Sequence, residues 1–110
     1  MICEEFRETL EQEGHAVDCA LNGQEGLEKI QTHQYNLVFL DSSMPLMDGE
    51  KVLQKIRDVS QVPVAFITGF LPESKEKEIL QKGAFVCMQK PLDLERVKLL
   101  IRTIENNGST

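Results

Sequence analysis

LVFLDSSMPLMDG, residues 37–49, decides how the rest of the chain is read. Residues 37–40 are apolar without alternation, the pattern of a strand covered on both faces. The run stops in a carboxylate, Asp41, followed by Ser42, Ser43 and a turn bearing Pro45 and Gly49. An aspartate before a turn is commonly an Asx-type turn former. An aspartate closing a buried parallel strand also stands where such sheets collect ligands and reactive groups. The remaining sequence chooses between the two.

Upstream, Ile2, Phe6 and Leu10 share one helical face, and Gly14 is a plausible stop. Val17, Cys19 and Leu21 alternate with Ala16, Asp18 and Ala20, which predicts an edge strand. Asn22-Gly23 marks a turn, and Leu27 with Ile30 gives a second helix. Downstream, Val52, Leu53 and Ile56 define a third helix. Residues 62–68 read as a buried strand, with Pro63 tolerable only at its start. Pro72 opens a charged helix over residues 73 to about 82, which Gly83 caps. Residues 84–88 form the last strand. Asp93 then N-caps a helix with Leu94, Val97, Ile101 and Ile104 as its buried stripe. The order α-β-α-β-α-β-α-β-α predicts a doubly wound parallel α/β sheet of four strands with five helices.

Composition narrows the class. At 110 residues the chain is one domain, read as residues 1–105, with residues 106–110 a disordered tail or the start of a linker. A net charge of −6 opposes direct nucleic-acid binding, which needs clustered Lys and Arg. No apolar run approaches the roughly 18 residues of a membrane span, and Cys3-Glu4-Glu5 interrupts any apolar start. Cys3, Cys19 and Cys87 are odd in number and widely spaced, which predicts reduced thiols and a cytoplasmic location. His15 and His33 lack metal-ligand spacing.

Reading the end of each buried strand gives Asp41, Thr68 and, after the shorter last strand, Lys90. A parallel sheet carries all three to one edge. A carboxylate, a hydroxyl and an ammonium suit phosphoryl chemistry: the first as nucleophile, the others holding the oxygens of the group it accepts. Taken singly, each residue is also explained by turn chemistry, strand propensity or solvated charge.

Together with their flanking residues they carry a resemblance. Asp41 within D-x-x-M-P-x-M-D-G, Thr68-Gly69, Gly83-Ala84 and Lys90-Pro91 look like the receiver (CheY-like) domain of two-component response regulators. The spacing holds from residue 2 to about residue 105. The resemblance implies a flavodoxin-like sheet and a phosphoacceptor switch rather than a turnover enzyme. At most it would carry self-catalysed phosphoryl transfer and autodephosphorylation. The donor would be a sensor histidine kinase or phosphotransfer protein, with phosphoryl passing to Asp41. Thr68 and Lys90 would hold the aspartyl-phosphate oxygens, the Lys90–Pro91 bond would be cis, and Mg²⁺ would be the cofactor. Asp41 and the backbone carbonyl of Ser43 match two of the family's metal ligands.

The chain departs from that family in two places. Receiver domains begin with an apolar strand ending in an acidic pair, which completes the metal site. Here that strand and pair are absent, so an N-terminally truncated receiver is expected. Glu4 and Glu5 fall at helical positions and read as first-turn charges. The loss leaves two facing strand edges, near Val17 and Phe39, for which a homodimer through exposed edges or swapping is the expected remedy. The second departure is Cys87, where the family carries the aromatic switch residue that works with Thr68. The alternative reading is a phosphorylation-incompetent pseudo-receiver serving as a protein-interaction or dimerisation module. A phosphatase or P-loop fragment fits less well. No G-x-x-x-x-G-K-[ST] occurs, and Ser43 breaks a D-x-D pattern.

Overall fold

The computed structural model describes the backbone of residues 2–42 and 48–108, and the side chains of residues 6–42 and 48–106. Its elements follow the order α1 (Ile2–Gln12), α2 (Gly23–Thr32), β1 (Val38–Asp41), α3 (Gly49–Val59), β2 (Val64–Thr68), α4 (Glu73–Gln81), β3 (Val86–Gln89) and α5 (Leu94–Gly108). Side-chain caps set the starts of α2, α3 and α5. Asn22 accepts the Glu25 N–H at 2.9 Å, Asp48 accepts those of Glu50 and Lys51, and Asp93 accepts that of Glu95 at 2.9 Å. The chain leaves α1 and α4 through Gly14 and Gly83, at φ +96° and +110°, a region that disfavours a Cβ.

The three strands pair in parallel in the order β1-β2-β3, with Leu40 beside Phe66 and Phe66 beside Cys87. Period-two alternation divides β2 between two cores. Val64 and Phe66 pack with Leu40, Leu53, Ile56 and Ile79 beneath α2, α3 and α4. Ala65 and Ile67 pack with Leu10, Met88 and Val97 beneath α1 and α5. Helices therefore cover both faces, as the alternation of elements predicts.

Two expectations are corrected. The described sheet has three strands rather than four, because residues 15–20 form no ladder. Val17 and Cys19 are half-buried while Ala16 and Asp18 are exposed, so the strand-like alternation is real. Alternation reports half-burial, however, and a strand also needs a neighbour within hydrogen-bonding distance. β1, the edge of the sheet on that side, does not pair with this segment. The second correction concerns the thiols: Cys19 is disulfide-bonded, whereas Cys87 is free and buried. At its far end, α5 continues through Gly108, beyond the boundary at residue 105 read from the sequence.

Arg57 fastens α3 to the chain around β2 and β3. Its Nε donates to the Gly83 carbonyl at 2.8 Å, Nη1 to Ser60 O at 2.9 Å, and Nη2 to Val62 O. Partial burial lowers its pKa without offering it a carboxylate. Arg57→Ala should cost about 3 kcal/mol, since hydrogen bonds from a charged donor outweigh neutral ones; urea denaturation measures it.

Glu50 on α3 meets two cations of the α4 region, Lys75 at 2.7 Å and Lys82 at 2.8 Å. Hydrogen bonds from Lys75 and then Lys82 lower its pKa below the ordinary 4.5. A depressed carboxyl stabilises the fold above its unfolded-state value, and that contribution fades as pH falls through the folded value. Stability should therefore decline on acidification below about pH 4.5, with a shallower decline in Glu50→Gln. Parallel urea titrations across acid pH test the difference in slope.

Candidate functional site

Parallel pairing brings the carboxyl ends of β1, β2 and β3 to one edge of the sheet. Asp41 ends β1, Thr68 ends β2, and Lys90 directly follows β3. Backbone bonds hold these ends in step. Ser42 N–H and its hydroxyl both donate to Ile67 O, at 2.8 and 2.9 Å, and Lys90 N–H donates to Thr68 O at 2.9 Å. The Lys90–Pro91 peptide bond is cis.

The side chains of Asp41 and Lys90 meet. Lys90 Nζ lies 2.8 Å from Asp41 Oδ2, and the two side chains are 34% and 14% exposed respectively. This is a charge-assisted contact on a carboxylate largely withdrawn from water, where attraction exceeds that of a surface pair. Thr68 stands at the same edge, with its hydroxyl engaged in its own loop. It donates to Phe70 O at 3.3 Å and accepts from Phe70 N–H at 3.4 Å. These are long bonds, so a stronger acceptor near Thr68 would compete for the hydroxyl.

The end of the D-x-x-M-P-x-M-D-G motif has a packing reason. Asp48 caps α3. At Gly49 a Cβ would lie 2.7 Å from Ser42 Cβ and 3.1 Å from the Phe66 ring. The glycine thus lets α3 begin hard against the residue that follows Asp41. Ser43, Met44, Pro45 and Met47 lie outside the described residues, and with them the Ser43 carbonyl read as a metal ligand. Glu4 and Glu5 belong to α1, but their side chains are likewise outside the described set.

Among the described residues, no group of three or more His, Cys, Asp or Glu side chains is placed to hold a metal ion. Mg²⁺ demands near-octahedral oxygen coordination, often through one or two carboxylates together with phosphate oxygens. The described part of this edge offers it the Asp41 carboxylate, already paired with Lys90. That donor set does not by itself make a Mg²⁺ site.

Cys87, at the position read as the replaced switch residue, is 6% exposed beneath α4. Its Sγ lies 3.9 Å from Glu76 O, and burial together with the Glu76 charge pushes the thiol up to about 11. It is a neutral packing residue rather than a nucleophile. Two supporting residues carry no signal in the sequence. Ser42 anchors the end of β1, and Gln89 Oε1 accepts the Leu71 N–H at 3.1 Å, bracing the loop that follows Thr68.

Comparison with known proteins assigns the class. The family model described as "Response regulator receiver domain" matches residues 1–102, and the chain belongs to that family. The transcriptional regulatory protein CrdR of Helicobacter pylori is 30% identical over 109 residues, which cover 97% of this chain and 51% of the relative. Response regulator ArlR of Staphylococcus aureus is 34% identical over 95 residues, 86% of this chain and 43% of the relative. The chain therefore spans about half the length of these curated relatives. Among solved structures, a two-component response regulator from Clostridium difficile superposes with a TM-score of 0.91 at 28% identity. That match covers 98% of this chain and 89% of the regulator. A beryllofluoride-activated NtrC4 receiver domain dimer superposes at 0.85 with 30% identity, covering 94% of this chain and 86% of its own. The fold is that of CheY-like receiver domains, which are signalling switches of two-component systems. Among the described residues, no helix is long and apolar enough to cross a membrane.

Proposed function

We propose that Asp41 accepts a phosphoryl group from a phosphohistidine of a sensor histidine kinase or phosphotransfer protein. The observation carrying this reading is the 2.8 Å contact between Lys90 Nζ and Asp41 Oδ2 at the carboxyl edge of the sheet. A carboxylate oxygen of Asp41 attacks phosphorus, the P–N bond to imidazole breaks, and the imidazole nitrogen keeps the electron pair and takes a proton from solvent. Such transfer needs an in-line nucleophile and compensation of charge on the transferred oxygens. Lys90 supplies positive charge at that place, and Thr68 can exchange its long loop bonds for a phosphoryl oxygen. Mg²⁺, expected from the family, supplies further positive charge when bound. The chain acts as a switch whose modified state is read by other surfaces. The beryllofluoride-activated state named for the NtrC4 relative supports using beryllofluoride as a probe of this chain.

The test is incubation of the chain with a small phosphodonor or beryllofluoride in the presence of Mg²⁺. Mass spectrometry follows the phosphodonor, and ¹⁹F NMR follows the fluoride. One phosphoryl group per chain is expected. Failure to acquire either group, by a chain shown to be folded, would favour the interaction-module reading.

A further inference from the structure

Cys19 and Cys87 meet opposite surroundings. Cys87 is free and buried, with its Sγ against the Glu76 carbonyl. Cys19 is disulfide-bonded and half-buried, so an attacking thiolate can reach its bond. Its sulfur lies 3.9 Å from Nη1 of Arg7 on α1, and its carbonyl accepts from Nζ of Lys29 on α2 at 2.5 Å. Arg7 Nε also donates to Glu11 Oε1 at 3.2 Å, one turn further along α1, which orients the guanidinium. A cation favours the thiolate, and a disulfide opens faster when the departing sulfur leaves as a stabilised thiolate. Cys19 is the sulfur that Arg7 prepares to leave.

Two observations point to the other sulfur. The sequence holds three cysteines, and with Cys87 free the count leaves Cys3. The second is the backbone of α1. Arg7 touches Cys19, and position 3 stands about one helical turn before position 7, on the same face of that helix. A Cys3–Cys19 bond would join α1 to residues 15–20, a segment that no strand ladder holds. The other ties described there are few and polar. They are the Arg7 and Lys29 contacts at Cys19 and a 2.7 Å bond from the Tyr35 hydroxyl to Asp18 Oδ2.

We propose that Cys3 and Cys19 form a redox-exchangeable clasp between α1 and residues 15–20, opened by a dithiol reductant. One thiolate of the dithiol attacks the Cys3 sulfur, the S–S bond breaks, and Cys19 leaves with the electron pair as a thiolate beside Arg7. The second thiolate of the dithiol then attacks the donor sulfur of the mixed disulfide, and Cys3 leaves in turn. Two electrons pass to this chain, the donor ends as a disulfide, and its two protons reach the released thiolates through solvent. The state of the clasp follows the thiol poise of its surroundings. Opening it removes a loop constraint and loosens α1 and residues 15–20, while the sheet of β1, β2 and β3 stays paired. Cys87 takes no part, since burial and the Glu76 charge keep it a neutral thiol. The proposal is independent of phosphoryl transfer to Asp41.

The experiment oxidises the full chain with glutathione disulfide and then titrates it with dithiothreitol in native buffer. Thiols are alkylated and located by peptide mass mapping. The oxidised monomer should yield a peptide linked through Cys3 and Cys19. Native reduction should alkylate those two residues and leave Cys87 unlabelled. Reduction should lower Tm by roughly 10 °C. It should also speed amide exchange in residues 15–20 about tenfold, without change in β2. Arg7→Gln should slow reduction about fivefold, and Arg7→Lys should restore most of the rate. Cys3→Ser and Cys19→Ser, each folded by circular dichroism, should exchange alike in oxidising and reducing buffer. Alkylation of Cys19 before any reductant is added would overturn the proposal. So would a link from Cys19 to another residue or another chain, or a bond that opens only in denaturant.

Discussion

Asp41→Asn should abolish acquisition of phosphoryl from a small donor or a partner phosphohistidine, a drop of roughly 10⁴-fold or more, typical of removing a nucleophile. The side chain is nearly isosteric, so the fold is preserved and the loss is chemical. An amide oxygen carries no anionic lone pair to attack phosphorus, and the 2.8 Å ion pair with Lys90 becomes a weaker hydrogen bond. Lys90 is 34% exposed, so its released ammonium can be solvated, and stability should change little. Lys90→Ala gives a different outcome. The nucleophile remains while the charge beside it goes, and a loss of roughly 10²–10³-fold is expected, as for other electrostatic donors to a developing anion. Comparing the two variants separates the nucleophile from its partner, with circular dichroism confirming that both are folded.

Phe66→Ala should be the most damaging change to the fold. Phe66 is 2% exposed on the central strand, flanked in register by Leu40 and Cys87. Its ring also meets the start of α3 at Gly49. Truncating a buried phenylalanine costs about 3–5 kcal/mol, through lost transfer energy and the cavity left behind. Domains of this kind are stable by about 5–15 kcal/mol. The variant should therefore lose a large share of its stability, read as a lowered urea midpoint in equilibrium titration. A cost below about 1 kcal/mol would show that β2 is not the centre of the core.

Much of this architecture can be read from residue patterns. The uninterrupted apolar runs at Val38 and Val64 announce strands covered on both faces, and the periodic stripes between them announce helices. Asp41, Thr68 and Lys90 could be named because strand ends have predictable positions in a parallel sheet. What lay beyond the sequence depends on how distant segments approach. Residues 15–20 keep the alternation of a strand, but no local pattern reveals that they find no ladder partner. The disulfide at Cys19 likewise depends on spatial proximity, which wide spacing hides. Arg57, Ser42 and Gln89 look like ordinary polar residues until the carbonyls and amides they bind are brought to them. The Thr68 hydroxyl sits at the expected edge, and its engagement with Phe70 is a property of the loop that no propensity encodes.

The most direct measurement is reductive trapping. Borohydride converts an aspartyl phosphate to homoserine, and peptide mass mapping then locates the modified residue. After treatment with a phosphodonor and Mg²⁺, phosphoryl transfer to Asp41 predicts homoserine at position 41 alone. Homoserine at a different carboxylate, or none in a chain shown to be folded, would contradict it.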